Sequence, residues 1–132
     1  MTKKVSVAIL GSTGFVGLEL VKILSKHPNV NIVFFGTENN TNTLLKDIDP
    51  TIKVYDNSVT QLNETFDYSK ADTVFMALPH GISHKYVKSF YNKIQIIDLS
   101  ADFRLDNLHS YKKNYGDTHT CPELLSKFIY GL

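Results

Sequence analysis

The chain has 132 residues, a single cysteine, and a formal net charge of +1 from 14 basic and 13 acidic side chains. A chain of this length suits one ordinary domain with its own core, and a lone cysteine excludes an internal disulfide framework. The small net charge argues against a general binder of nucleic acid or membrane surfaces. No apolar run approaches the roughly 20 residues of a membrane-spanning helix, so we expect a soluble, cytoplasmic protein.

The first part of the chain predicts a strand, a helix and a second strand. The run Val5–Leu10 is short, apolar and β-branched, and it stops at Gly11, as a strand buried on both faces does. The helix that follows ends at Pro28. Its inward face is predicted from four apolar residues at i, i+4, i+7 and i+8: Val16, Leu20, Ile23 and Leu24. The second strand covers 30–35 and ends at Gly36, which completes a unit with parallel strands.

A polar segment then interrupts the alternation of strands and helices. Residues 36–50 are predicted as an exposed loop, and a strand over 52–55 is only weakly marked. The alternation resumes with a buried strand over 73–78, a helix over 83–92 and a buried strand over 94–99. A last strand is suggested by the apolar residues at 128–130. This order predicts an α/β domain with a mostly parallel sheet and helices on both faces.

Three glycines link the first strand to the first helix in the run Gly11-Ser12-Thr13-Gly14-Phe15-Val16-Gly17. The spacing G-x-x-G-x-x-G is a relative of the dinucleotide-binding fingerprint of Rossmann-type, doubly wound sheets. In that motif the first glycine permits a tight turn, the second lets backbone N–H groups approach a pyrophosphate, and the third lets the helix pack closely. Ser12 and Thr13 can add hydroxyl donors. The alternative is a turn that serves packing alone, and the position at the first strand–helix junction favours nucleotide binding.

The choice of nucleotide depends on the residues after the second strand. Glu38 lies where an acidic residue can accept a hydrogen bond from a ribose 2′-hydroxyl, which favours NAD. Thr37 can instead hydrogen-bond a 2′-phosphate, as NADP requires. A third interpretation makes Glu38 a solvated carboxylate in a loop.

A second group of polar residues follows the later strands. Leu78, Pro79 and His80 follow one strand directly, and the carboxyl ends of parallel strands meet at one edge, so this turn should share a crevice with the glycine loop. His80 can touch the cofactor or lie in solvent as an ordinary turn histidine. After the next strand, Arg104 is suited to capture a phosphate or carboxylate. Asp98 and Asp102 can orient Arg104 or cap the turn, and no metal site is expected since no histidine lies at ligand spacing.

Several stretches of the chain together carry a family resemblance. They are residues 11–20 with His27-Pro28, residues 74–81, residues 97–105, and weaker matches at Tyr115-Gly116, His119, 122–125 and 130–132. The chain thereby resembles the N-acetyl-γ-glutamyl-phosphate reductases of arginine biosynthesis. The glycine loop is shared with aspartate-semialdehyde dehydrogenases, whereas the other strings are more specific. The reductase of lysine biosynthesis that acts on carrier-bound aminoadipate is the nearest alternative.

The resemblance implies a reductase that converts an acyl phosphate to a semialdehyde with NADPH, with NAD as the other possible cofactor. It implies that residues 11–17 hold the pyrophosphate, that Thr37 lies near the adenosine ribose, and that Leu78, Pro79 and His80 line the nicotinamide side. Arg104 would contact the substrate phosphate. Residues 1–132 would then form the NAD(P)-binding domain of an enzyme that works as a homo-oligomer.

Catalysis in the resembled family passes through a thioester on a cysteine, with a histidine as acid and base. The family's cysteine lies in a Gly-Cys-Tyr-type motif that would follow Leu132. Cys121 is followed by Pro122 and Glu123, which is the wrong local context, and neither His84 nor His119 matches an acid–base motif. We therefore expect no catalytic residue in this chain, and a C-terminal substrate domain or partner chain to supply it.

Overall fold

Five short apolar runs form one parallel sheet in the computed structural model, which describes residues 4–55, 58–79 and 81–99, the His84 side chain excepted. The strands are β1 (Val5–Leu10), β2 (Val30–Thr37), β3 (Gln61–Leu62), β4 (Thr73–Met76) and β5 (Gln95–Asp98). The helices are α1 (Phe15–Ser25), α2 (Leu45–Ile48) and α3 (Ser83–Phe90), and Asn63–Thr65 and Tyr68–Lys70 form single 3-10 turns. No helix in these ranges is long and apolar enough to span a membrane.

The strand order β3-β2-β1-β4-β5 places β1 at the centre of the described sheet. From β1 the chain crosses first to β2 on one side and later to β4 on the other, and both pairings are parallel. The order of the strands therefore reverses direction between β1 and β4, at their carboxyl ends. Ligands of doubly wound sheets bind in the crevice outside such a point.

Side chains of β1 alternate between two cores, one on each face of the sheet. Val7 and Ile9 belong to the α1 core, with Val21, Leu24, Ile32, Phe35, Leu45 and Ile52. Ala8 and Leu10 belong to the α3 core, with Phe66, Val74, Met76, Leu78, Val87 and Phe90. Because strand side chains point alternately to opposite faces, a strand buried on both faces needs a helix on each. The predicted α/β fold, with a parallel sheet and helices on both faces, is confirmed.

A β-bulge adjusts β2 to this arrangement. Val7 pairs with Ile32 and Ala8 pairs with Phe34, so Val33 is one extra residue on β2. The extra residue changes the alternation of faces, and Ile32 and Phe35, three positions apart, both enter the α1 core.

The predicted inward face of α1 is partly wrong. Val16 is 53% exposed and Ile23 is 64% exposed, whereas the buried residues of the helix are Gly17, Val21 and Leu24. These three lie at i, i+4 and i+7, so the apolar stripe begins at the glycine that contacts β1 rather than at Val16. The helix also ends at Ser25, three residues before Pro28.

Other boundaries differ from the predictions in the middle of the chain. β2 runs through Gly36 to Thr37, and the predicted loop over 36–50 contains α2, whose Leu45 is buried. Residues 52–55 form no strand, and β3 lies later, at Gln61–Leu62. β5 is half-buried rather than buried, because it is the last strand at one end of the described sheet. The strand suggested over 128–130 lies outside the described residues.

Two neighbouring residues of α1 test the corrected helix face. Leu24→Ala should lower the free energy of unfolding by about 2–5 kcal/mol, because it removes a buried side chain from the α1 core. Ile23→Ala should change that free energy by less than about 1 kcal/mol, since its side chain is in solvent. Urea denaturation of both variants measures the difference, and equal losses would contradict the assigned face.

Candidate functional site

The first and third glycines of the loop after β1 are required by contacts within the protein. Gly11 has φ +77°, and a Cβ at Gly11 would lie 2.3 Å from the carbonyl oxygen of Ala77. A Cβ at Gly17 would lie 2.0 Å from the carbonyl oxygen of Gly11. The loop thus turns sharply against the end of β4, and the first turn of α1 packs directly on the loop.

The middle glycine differs from the other two because nothing in the protein crowds it. A Cβ at Gly14 would meet one atom within 4 Å, the carbonyl oxygen of Gly11 at 3.8 Å. Its backbone dihedral angles, φ −79° and ψ 173°, are available to any residue. Internal packing therefore does not require glycine at this position, and the space above it is open to a ligand.

The start of α1 offers hydrogen-bond donors to that open space. Gly14 is the N-cap residue and no side chain caps the helix. The first intrahelical bond runs from the Leu18 N–H to the Gly14 carbonyl, so the N–H groups of Phe15, Val16 and Gly17 precede the helical ladder. Such N–H groups, together with the positive end of the helix dipole, form a site for an anion.

The two hydroxyl residues of the loop are engaged inside the protein. Ser12 is fully buried, and both its backbone N–H and its hydroxyl donate to the Gly36 carbonyl oxygen, at 2.7 and 2.9 Å. This geometry differs from the prediction that Ser12 donates to a phosphate, because the hydroxyl is used to join the loop to β2. The Thr13 hydroxyl lies 3.0 Å from the Thr37 hydroxyl, and it remains at the edge of the open space.

An open groove of about 390 Å³ runs along the carboxyl ends of β1, β2 and β4. We call it the glycine-loop groove; its described lining is Gly11, Thr13, Gly14, Phe15, Val16, Thr37, Glu38, Asn39, Asn40, Ala77, Leu78 and Pro79. The structure thus brings Leu78 and Pro79 beside the glycine loop, as expected from the parallel sheet. Phe15 is 84% exposed on its rim, an unusual position for a large aromatic side chain.

Thr37 and Glu38 lie side by side at the end of β2 but differ in environment. Thr37 is 1% exposed, and its hydroxyl accepts a hydrogen bond from the Asn40 N–H at 3.2 Å besides its contact with Thr13. Glu38 is exposed, and one carboxylate oxygen accepts a hydrogen bond from Asn63 at 3.1 Å. Thr37 is therefore part of the internal network, whereas Glu38 presents its carboxylate to the groove.

Asn63 is a site residue that sequence reasoning missed. It is 2% exposed, and its side-chain oxygen accepts a hydrogen bond from the Gly11 N–H at 3.0 Å. The same amide donates to Glu38, so it joins the glycine loop to the end of β2. β3 has two residues and carries no periodic signal, so nothing in the local sequence marked Asn63.

A second pocket, of about 580 Å³, lies on the α3 side of Glu38. Its described lining includes Glu38, Glu64, Tyr68, Lys85 and Tyr86. Burial raises the pKa of the Tyr86 hydroxyl above its usual value, and the negative charges of Glu38 and Glu64 raise it further. Glu38 thus borders both the glycine-loop groove and this pocket.

The remaining predicted site residues lie at or beyond the limit of the described ranges. The Ser83 hydroxyl donates to Asp98 at 3.1 Å, which links the start of α3 to the end of β5. The other predicted residues, namely His80, Asp102, Arg104, His119 and Cys121, lie outside the described residues, and the His84 side chain is not described. Within the described ranges no three His, Cys, Asp or Glu residues form a group that could hold a metal ion.

Sequence comparison relates nearly the whole chain to one family. Residues 6–132 match the family described as the NAD-binding domain of semialdehyde dehydrogenase. The chain is 43% identical over 133 residues to an N-acetyl-gamma-glutamyl-phosphate reductase of Ehrlichia chaffeensis, covering 100% of this chain and 38% of that protein. It is 38% identical over 130 residues to the reductase of the same name from Acinetobacter baylyi, covering 97% of this chain and 37% of that protein. The chain thus spans less than two fifths of the length of these curated relatives.

Solved structures share the fold at lower sequence identity. The aspartate semialdehyde dehydrogenase of Candida albicans, solved with NADP, superposes with a TM-score of 0.68 at 22% identity, covering 80% of this chain and 32% of that one. Aspartate semialdehyde dehydrogenase II of Vibrio cholerae, complexed with ASA, superposes with a TM-score of 0.64 at 22% identity, covering 79% and 33%. The likeness at these identities is one of fold.

The contrast between Gly14 and Gly17 yields a matched pair of variants. Gly17→Ala should lower the free energy of unfolding by about 1–3 kcal/mol, because its Cβ collides with the Gly11 carbonyl. Gly14→Ala should leave the fold nearly as stable and weaken dinucleotide binding, because its Cβ enters the groove. Urea denaturation and dinucleotide titration of both variants separate the effects. Wild-type affinity in Gly14→Ala would contradict a ligand above that residue.

Proposed function

Because the chain belongs to the family of semialdehyde dehydrogenase NAD-binding domains, we propose that it holds the dinucleotide of an N-acetyl-γ-glutamyl-phosphate reductase. Such an enzyme reduces N-acetylglutamyl phosphate with NADPH and a proton, and it forms N-acetylglutamate semialdehyde, NADP and inorganic phosphate. The names of the relatives at 43% and 38% identity support this substrate. The observation that carries the proposal is the open space above Gly14, at the start of α1 and the reversal point of the sheet.

The groove supports one orientation of the cofactor. The N–H groups at the start of α1 and the free space at Gly14 suit the pyrophosphate, with Gly11 and Gly17 setting the shape of the loop. Thr37 and Glu38 suit the adenosine ribose, since they lie on the β2 side. Leu78 and Pro79 suit the nicotinamide, since they lie on the β4 side, and the resemblance adds His80 to them.

Bound there, the cofactor supplies the hydride that reduces the acyl carbon. The chain's own contribution is to bind and orient the cofactor with a glycine loop held by Ser12 and Asn63. We propose that Arg104 contacts the phosphate of the substrate, because a guanidinium binds phosphate through two hydrogen bonds. The cysteine nucleophile and the histidine acid–base group are proposed to come from a C-terminal substrate domain or a partner chain. The complete enzyme is proposed to be a homo-oligomer.

The substrate and the cofactor each leave one alternative within this proposal. Carrier-bound aminoadipyl phosphate is the alternative substrate, since the same cofactor domain serves both reductases. NAD is the alternative to NADP, since Glu38 borders the groove where NADP would carry its 2′-phosphate.

Dinucleotide binding is tested most simply by thermal unfolding of the chain. NADP or NAD at about 100 times its Kd should stabilise the chain by about 2.7 kcal/mol, which raises Tm by several degrees. Nicotinamide alone, which lacks the pyrophosphate, is the control and should leave Tm unchanged. If neither dinucleotide raises Tm, the proposed function is wrong.

Catalysis is tested in the reverse direction, with N-acetylglutamate semialdehyde, inorganic phosphate and NADP. The chain alone should produce no reduced cofactor, measured by its absorbance, because the proposed nucleophile lies outside it. An N-acetyl-γ-glutamyl-phosphate reductase assayed in parallel is the positive control. Phosphate-dependent turnover by the chain alone that survives Cys121→Ala would contradict the assignment of the nucleophile to another domain.

A further inference from the structure

The side-chain amide of Asn63 is held at both ends. Its oxygen accepts from the Gly11 N–H at 3.0 Å, and its nitrogen donates to Glu38 Oε1 at 3.1 Å. A backbone N–H can only donate, so the amide must present its oxygen to Gly11 and its NH₂ to Glu38. The orientation of this buried group is therefore determined by the glycine loop, and the carboxylate receives the remaining donor.

The surrounding backbone leaves room for Asn63 alone in this place. A Cβ at Gly36 would lie 2.2 Å from Asn63 Oδ1, so the glycine in β2 makes the approach of the amide possible. Gly36 pairs with Gln61 and Thr37 pairs with Leu62, so the parallel register brings the next residues, Glu38 and Asn63, side by side. The contact between them follows from the sheet and is not an accident of two surface side chains.

Glu38 therefore differs from an ordinary surface carboxylate. It is exposed to the groove, yet a buried amide fixes one of its oxygens. No Lys or Arg is among the described residues that line the glycine-loop groove. Lys85 lines the adjoining pocket, and within the described ranges it forms no ion pair with Glu38.

We propose that Asn63 is a positioning residue that fixes Glu38 as the determinant of cofactor choice, in favour of a dinucleotide without a 2′-phosphate. The inference rests on the proposed function, because it assumes that the adenosine ribose lies at the end of β2. The held carboxylate accepts a hydrogen bond from the ribose 2′-hydroxyl, and such a charge-assisted bond is strong. A 2′-phosphate at the same place meets a like charge, which penalises NADP.

The test compares Glu38→Gln with Glu64→Gln by calorimetric titration of the chain with NAD and with NADP. Glu38→Gln should weaken NAD binding and shift the ratio of the two Kd values toward NADP by about tenfold or more. Glu64→Gln removes the same charge from an exposed residue outside the groove lining, and it should leave the ratio nearly unchanged. Both residues are exposed, so neither substitution should impair folding.

The role of Asn63 is tested by Asn63→Asp and by the double variant with Glu38→Gln. The carboxylate introduced by Asn63→Asp still accepts from Gly11 but repels the Glu38 carboxylate, so NAD binding should weaken about as much as in Glu38→Gln. If Asn63 acts through Glu38, the double variant should bind NAD no more weakly than Glu38→Gln alone. Losses that add in the double variant would assign Asn63 a separate structural role and overturn its positioning role.

The possible outcomes separate this inference from the proposed function. Binding of both dinucleotides with the same Kd ratio in wild type, Glu38→Gln and Glu64→Gln would overturn the inference and leave the dinucleotide site intact. Equal shifts in Glu38→Gln and Glu64→Gln would assign the effect to general charge and also overturn it. Binding of neither dinucleotide by the wild-type chain would overturn the proposed function itself.

Discussion

The close approach of α1 to the end of β1 is the constraint on which the rest of the domain depends. Where Gly17 meets Gly11 there is no space for a side chain, since a Cβ would lie 2.0 Å from the Gly11 carbonyl oxygen. This contact sets the rotation of α1 about its axis, so that Val21 and Leu24 enter the core below it. It also aims the start of the helix at the reversal point of the sheet. Packing and anion binding thus follow from the same backbone contact.

Hydrogen bonds to β2 and to the turn after β3 hold the loop in that position. Ser12 donates twice to the Gly36 carbonyl oxygen, and Asn63 accepts from the Gly11 N–H. All of these groups are buried or half-buried, where a hydrogen bond left unmade costs about 1–3 kcal/mol. Gly36 allows both contacts, because it offers its carbonyl to Ser12 and leaves room for Asn63. The loop is therefore shaped before any ligand arrives, which lowers the entropic cost of binding.

The sequence predicted the parts of this arrangement that depend on local pattern. The α/β order, the place of the glycine loop, and the nearness of Thr37 and Pro79 to it follow from strand and helix periodicity and from the rule for parallel sheets. The face of α1 was misjudged because Gly17 carries no hydrophobic signal, although it lies at the centre of the contact. Asn63 could not be predicted, because its role depends on the register between β2 and a strand of two residues. Long-range pairing of this kind leaves no trace in a local pattern.

The central claim is that a dinucleotide lies across the start of α1, and backbone amide NMR tests it most directly. On titration with NADP or NAD, the amide resonances of Gly14, Phe15, Val16 and Gly17 should shift and saturate together. The amide of Asn29, which precedes β2 at the opposite edge of the sheet, should not move. Saturating shifts confined to the residues around the glycine-loop groove are the predicted result. Shifts that avoid residues 14–17, or no shifts with either dinucleotide, would contradict the account.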